Sequence, residues 1–211
     1  MAPIARKKPQ SKPAIRKRIR EQKVALIQDQ ILEVAAELIA ERGFKTVTSE
    51  DISAAMGFTK SIIYYYFENK NEILWRIFEK IDRTYSGSLE HVLTKGGSPE
   101  TILADIMRAH CTNVMTHKSW ATIYNRDEHE LGDAQRKIVS ANKRKYNKQV
   151  EEIYKSGVAA GKLKPGSPAV AVACMLGACN WTYTWFKPTG PLSAQEIADR
   201  FATQLIDGVG V

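Results

Sequence analysis

Between Thr59 and Lys70 the chain reads Thr-Lys-Ser-Ile-Ile-Tyr-Tyr-Tyr-Phe-Glu-Asn-Lys. Thr59, Ser61, Tyr64, Tyr65 and Tyr66 bring hydroxyls to it, and Lys60 and Lys70 put an ammonium near each end. With no general base among them, their shared chemistry is hydrogen bonding and charge pairing with phosphate oxygens and base edges. The one cluster that resembles a metal or acid-base site is His110, His117, Asp127, Glu128 and His129. His110 and His117 stand two turns apart on one helical face, about 10 Å, which is too far for a single ion without ligands from elsewhere. The sequence holds no His-Glu-x-x-His, Gly-x-Ser-x-Gly, P-loop or dinucleotide fingerprint. Catalysis is therefore the disfavoured class, and neither catalytic residue, metal nor cofactor is expected. Cys111, Cys174 and Cys179 match no metal or redox spacing and are odd in number, so buried reduced thiols are expected.

The chain has 211 residues, 44% of them hydrophobic and 26% charged, which excludes a wholly disordered, collagen-like or disulfide-scaffold protein. Its net charge of +8 is unevenly placed. Residues 1–23 carry Arg6, Lys7, Lys8, Lys12, Arg16, Lys17, Arg18, Arg20 and Lys23 against Glu21 alone, so the arm holds the whole imbalance. Such a concentration points to a polyanion, nucleic acid or an acidic membrane surface, through counterion release; the alternative is a solubilising tail. Pro3, Pro9 and Pro13 are expected to keep its first half extended. The N-terminus lacks a leader-type apolar segment, and the longest apolar run, Ala169 to Cys179, is too short to span a bilayer. A cytoplasmic protein with no membrane partner is expected.

The elements behind these residues all read as helices. Val24, Ile27, Ile31, Val34 and Leu38 share one face of a first helix that Gly43 stops. Thr48 caps a second, with Asp51 as capping-box partner and Ile52, Ala55 and Met56 as its buried stripe, and Gly57 ends it. Thr59 caps a third short helix, where Phe58 and Ile63 form a hydrophobic staple and Ile63 pairs with Phe67. Asn69 and Glu72 open a long helix striped by Ile73, Ile77, Ile81, Tyr85, Leu89 and Val92 up to Gly96-Gly97. Ser98-Pro99 starts a fifth helix, reaching about His117 and followed by a short segment around Trp120 to Arg126. A charged helix spans about Asp133 to Ala160, with Ile138, Tyr146, Val150 and Ile153 inward. The segment from Ala169 to Phe186 is apolar almost all round and needs cover on several sides. Ser193 and Glu196 cap the last helix, striped by Ile197, Phe201, Leu205 and Val209. The fold class is all-α, with about nine helices in three parts: a basic arm over 1–23, a three-helix unit over 24–70, and a helical body over 71–211.

Two short helices around a glycine turn have the layout of a helix-turn-helix, whose second helix enters the major groove of DNA. Successive helical residues point about 100° apart, so at least one of Tyr64, Tyr65 and Tyr66 must face outward. The run Ile31 to Phe44, followed by Thr48, Asp51-Ile52-Ser53, Gly57 and then Thr59 to Lys70, resembles the DNA-binding domain of TetR-family transcriptional regulators. Ser61 stands where that family often has glycine, and Ile62 where it often has a small polar residue. The resemblance implies that Thr48 touches a phosphate, that Thr59, Lys60 and Ser61 meet DNA, and that Tyr64, Tyr65, Tyr66 and Lys70 add phosphate or base contacts. Lys60 and Lys70 are expected to be salt-dependent anchors, and Ser61, Ile62 and Tyr64 to discriminate sequence. The partner is then a double-stranded DNA operator.

One such module buries too little surface for tight specific binding, so a homodimer on a palindrome is expected. Its interface is expected at residues 169–186 and 194–208, where Ala171, Ala173, Gly177 and Ala178 allow close helix approach and the resemblance implies a four-helix bundle. The alternative for this segment is an ordinary internal core. The body holds material for a small-molecule effector site in Ile106, Met107, His110, Trp120, Tyr124, Trp181, Tyr183 and Trp185, which are equally suited to plain core. Gly157 to Leu163 and Asn180 to Leu192 are similar to regulators of fatty-acid, aromatic-acid or steroid breakdown that answer to acyl-CoA thioesters. Such an effector needs an apolar slot and cations for its phosphates, for which Arg126, Lys143, Arg144 and Lys187 are candidates. Effector binding is expected to release a repressor by population shift, with the long helix from Asn69 to Val92 carrying the displacement. An architectural DNA binder without effector is the remaining alternative.

Overall fold

The computed structural model describes residues 12–210, with side chains from Arg16 onward. Among the described residues there are nine α-helices: α1 Lys12–Arg42, α2 Ser49–Ala55, α3 Lys60–Tyr66, α4 Lys70–Lys95, α5 Pro99–Thr116, α6 Lys118–Arg126, α7 Asp133–Ala159, α8 Pro168–Trp185 and α9 Ala194–Val209. A 3-10 turn, Glu128–Glu130, follows α6. The extended pairing among these residues is a single bridge between Leu163 and Gly210.

The first helix starts well before Val24, where the apolar stripe begins. Residues 12–23 are its opening turns, so the second half of the basic arm is helical, and Pro13, expected to help keep the first half extended, lies inside the helix. Pro13 is compatible with that start because a first-turn residue needs no N–H partner. Pro3, Pro9, Arg6, Lys7 and Lys8 lie outside the described residues.

Two apolar cores organise the chain, and α4 runs through both. The first gathers Ile31, Ala35 and Ile39 of α1, Ile52 of α2, Ile63 of α3 and Ile73, Ile77 and Ile81 of α4, and it also takes in Trp120 and Ile123 of α6. The second joins Leu89 and Val92 of α4 to α5, α7, α8 and α9. Asn69 caps α4 by accepting from the Glu72 N–H at 2.9 Å, and Gly96 ends it at φ +67°. A 26-residue helix shared by two cores couples any tilt at one end to packing at the other.

Several side chains face otherwise than the spacing suggests. In α7 the buried residue is Val139, while Ile138 is 48% exposed; a one-residue step turns a helix by about 100°, and the stripe through Val150 and Tyr154 selects Val139. Cys111 and Cys179 are buried free thiols, but Cys174 is exposed. One side of α8 buries Val172, Met175, Leu176 and Cys179, and the other leaves Val170, Trp181 and Trp185 in solvent. No helix among the described residues is long and apolar enough to cross a membrane.

Candidate nucleic-acid interface and companion cavity

The α2–α3 unit is built from its caps inward. Thr48 Oγ1 donates to Asp51 Oδ2 at 2.6 Å and accepts from the Asp51 N–H at 3.1 Å, while the Thr48 N–H reaches the same carboxylate at 2.8 Å. These bonds, the Thr48 hydroxyl first, hold the Asp51 carboxyl below the usual carboxylate range. Gly57, at φ +68°, turns the chain sharply enough for the Phe58 N–H to close on Ser53 O at 2.8 Å. Only a residue tolerant of that left-handed backbone makes the turn without strain. Ile63 and Phe67 then anchor α3 in the first core, as the sequence spacing suggests, and Phe58 is half-buried beside it.

That anchoring decides what α3 presents. Tyr64 is 47% and Tyr65 69% exposed, while Ile62 and Tyr66 are half-buried against α1. Thr59 and Ser61 are exposed, with their hydroxyls 2.8 Å apart. Lys60 forms an ion pair with Glu50 of α2 and lies 5.6 Å above the Tyr64 ring. The hydrogen bond between the two raises the Lys60 pKa and lowers that of Glu50. The pair ties the two helices together on the exposed side.

Lys70 requires a correction. Its ammonium is turned inward, donating to Phe44 O and Val47 O at 2.6 Å each and to Lys45 O at 3.5 Å, and lies 4.3 Å above the Phe44 ring. Burial pushes its pKa down. Those carbonyls belong to the loop between α1 and α2, so Lys70 braces the loop instead of reaching outward as a surface anchor. An ammonium at the first residue of a helix has no favourable interaction with the helix dipole; the carbonyls of the α1–α2 loop supply the attraction.

A cavity of about 290 Å³ opens among α4, α5, α6, α7 and α8. His110 is buried in its wall, its Nδ1 3.1 Å from the Tyr146 hydroxyl and its Nε2 2.8 Å from Asn180 Oδ1. Because the amide oxygen only accepts, Nε2 carries the proton and Nδ1 accepts from the tyrosine. Burial pushes the His110 pKa down to about 4, against the opposing pull of Asn180, so the ring is neutral at pH 7. Opposite it, Asp82 accepts from Asn142 Nδ2 at 2.8 Å and from the Tyr124 hydroxyl at 3.2 Å, and burial raises its pKa. Lys143 pairs with Glu128 and lies 4.4 Å above the Tyr124 ring.

Of the eight residues expected here from sequence, His110 and Tyr124 line this cavity. Ile106 and Met107 are sealed in the second core, Trp120 donates to Glu33 Oε2 at 3.2 Å, and Tyr183 is half-buried elsewhere. Trp181 is 65% exposed, and Trp185 borders a separate hollow with Phe186, Leu192 and Phe201. The wall is instead supplied by Asp82, Tyr85, Asn142, Tyr146 and Asn180. Asn180 was the findable one, an amide inside an otherwise apolar helix. Of the four candidate cations, Lys143 alone lines the cavity. Arg144 bonds Ser140, and Lys187 lies at the hollow beside Trp185.

Arg126, the fourth, joins the two parts of the chain. Its guanidinium donates to Ile39 O at 2.5 Å and Ala40 O at 3.0 Å, at the C-terminal end of α1, while Asp127 holds it from the other side at 2.9 Å. Cations are favoured at such carbonyl ends. Lys80 of α4 meanwhile binds Asp29 and Glu33 of α1 at 3.1 and 2.9 Å. His117 stacks on Trp120 with ring centres 4.2 Å apart, and His129 pairs with Glu130. Among the described residues no group of three or more metal-ligating side chains comes together.

A short exposed helix, clamped at its base by two core residues and set by a glycine turn against a capped partner, defines a helix-turn-helix DNA-binding protein. Comparison with known proteins makes the class specific. Residues 31–77 match the family described as bacterial regulatory proteins, tetR family, and residues 96–209 match the tetracyclin repressor-like C-terminal domain. The chain belongs to the TetR family and is a DNA-binding transcriptional regulator. It is 25% identical over 183 residues to the HTH-type transcriptional repressor KstR2 of Mycolicibacterium smegmatis, covering 86% of this chain and 89% of that protein. The fold superposes on the KstR2 structure from Mycobacterium tuberculosis with a TM-score of 0.82 at 19% identity, over 87% of this chain and 95% of the other. AibR, solved in complex with isovaleryl coenzyme A and operator DNA, gives a TM-score of 0.76 at 28% identity, over 85% and 97% of the two chains.

Proposed function

We propose that the protein is a ligand-responsive repressor that binds a palindromic operator as a homodimer through α3 and leaves it when a small effector fills the cavity behind α6. The observation that carries this reading is the double duty of α6. Tyr124 lines the cavity, and Arg126, two residues on, holds the end of α1. An occupant that displaces Tyr124 pulls on α1 and, through the shared first core, on α2 and α3. Asp82 and Tyr85 give α4 a second route between the same sites.

Dimerisation is supported by the exposed side of α8. Val170, Cys174, Gly177, Trp181 and Trp185 recur on it every three or four residues, with Ala173 beside Cys174, leaving an apolar face in solvent. Ala173 and Gly177 also border the cavity, so a second copy packed on this face would adjoin the effector. DNA contacts are assigned to Thr48, Thr59, Lys60, Ser61, Ile62, Tyr64, Tyr65 and Tyr66, with Lys70 supporting them from beneath.

The effector class is an acyl thioester or the corresponding acid. Isovaleryl coenzyme A in the AibR complex supports the thioester. About 290 Å³ is near the lower end for small-molecule pockets, so a short acyl group fits inside while the nucleotide stays outside. The polar wall of His110, Asn142 and Asn180 favours an acyl group that carries a hydrogen-bonding oxygen. Genome-wide footprinting identifies the operator, and gel shifts on it with a panel of CoA thioesters and free acids test the rest. Release by a thioester supports the reading. If no member of the panel changes operator affinity, this effector class is wrong.

A further inference from the structure

Among the described side chains of α1, the first packed on a core is Ile27, about 22 Å along the helix from its start at Lys12. Ile27 lines a shallow hollow with Phe58, Ser61, Ile62, Tyr65 and Tyr66, and the adjacent Gln28 donates to Tyr66 O at 3.5 Å. The other end of α1 is held to α6 by Arg126. On the N-terminal side of Ile27, α1 therefore continues past α3 and away from α6.

Its face toward α3 is basic. The residues four, seven and eleven positions before Ile27 are Lys23, Arg20 and Arg16, and helical periodicity turns all three to within about 40° of Ile27. All three are exposed. The nearby ion pair, Lys17 with Glu21 at 3.9 Å, uses a different side of the helix. From Ile27 to Arg16 the axis advances about 16 Å, the rise of about five base pairs.

We propose that Lys23, Arg20 and Arg16 form a second DNA-contact surface, binding backbone phosphates beside the half-site that α3 reads. The proposal rests on the operator-binding reading. Continuity with α3 through the Ile27 hollow favours a duplex over an acidic lipid surface. A helix lying in a membrane also needs a continuous apolar side, and along this part of α1 the exposed large apolar side chains Ile19 and Leu26 stand two turns apart with Gln22 between them.

The test uses the full chain carrying Arg16→Gln, Arg20→Gln and Lys23→Gln together, since glutamine keeps the helix propensity, with circular dichroism to confirm that helix content is unchanged. Fluorescence anisotropy follows binding to the footprinted operator, once trimmed to its half-sites and once with about ten flanking base pairs on each side, from about 50 to 200 mM NaCl. On the flanked duplex the salt slope should fall by about 5 per dimer, so that across this range the wild type loses about 10³-fold more affinity than the variant. On the trimmed duplex the two proteins should agree. Equal slopes on the flanked duplex would overturn the α1 contact and leave the operator reading standing; an equal loss on both duplexes would overturn its placement outside the half-site. Loss of binding to phosphatidylglycerol vesicles with DNA slopes unchanged would assign the face to lipid instead. Wild-type protein that binds no duplex would overturn the operator reading itself.

Discussion

Substituting Lys70 by alanine separates a brace from a surface anchor. The ammonium donates two 2.6 Å hydrogen bonds, to Phe44 O and Val47 O, and both acceptor residues are buried. A hydrogen bond to a charged group contributes about 1.5–3 kcal/mol. Lys70 itself is only half-buried, so water can reach part of the space it leaves, and the expected total cost is about 2–3 kcal/mol rather than the full sum. For a chain of this size each kcal/mol moves the melting temperature by about 2–4 °C, which predicts a fall of about 5–10 °C. Thermal and urea unfolding of the full chain measure it. Lys70→Met, which keeps the stem over the Phe44 ring, should recover part of the loss but not all. DNA affinity should fall alike on operator and random duplexes, because a loosened α1–α2 loop misplaces Thr48 and α3 whatever the sequence. An unchanged melting temperature combined with a loss of affinity that grows as salt is lowered would refute the brace and restore the phosphate anchor.

Two further outcomes follow from the geometry. His110 has a folded pKa of about 4 against an ordinary 6.5, so the unfolded chain binds more protons between these values and stability must fall as pH drops through that window. The loss should reach about 3 kcal/mol by pH 4, and His110→Gln should flatten this part of a urea-midpoint profile; an unchanged slope would show that the acid sensitivity has another source. Trp181→Glu places a charge on the exposed face of α8, and sedimentation at micromolar concentration should then show a monomer whose operator affinity is at least tenfold weaker by about 1.4 kcal/mol or more. A dimer of unchanged stability would move the interface elsewhere.

The local architecture was legible because it depends on short-range rules. Thr48 with Asp51, Asn69 with Glu72 and Ser193 with Glu196 mark helix starts through side-chain bonds spanning three residues, and all three bonds are present. Gly57 was readable as a turn, and the Ile63–Phe67 pair showed which side of α3 goes inward. The cavity was far less legible. Its residues come from five helices, and sequence spacing shows which side of a helix is apolar without showing which helix lies opposite. Trp181 and Trp185 look like pocket material by type, yet the buried side of α8 is set by Val172, Leu176 and Cys179.

What the amino-acid order determined alone was the set of helices, the capping bonds of Thr48, Asn69 and Ser193, the exposed hydroxyls of α3 and the asymmetry of charge, since each depends on neighbours within about four residues, whereas Thr59 and Ser98 stand at their helix starts without a side-chain capping bond. Tertiary structure alone decided that Lys70 turns inward, that Arg126 closes the end of α1, and that His110 meets Asn180 across 70 positions of chain. A side chain several bonds long can reach carbonyls, carboxylates or solvent with similar ease. Which of these it binds depends on the groups that distant segments bring within about 3 Å, and on how much water they leave there.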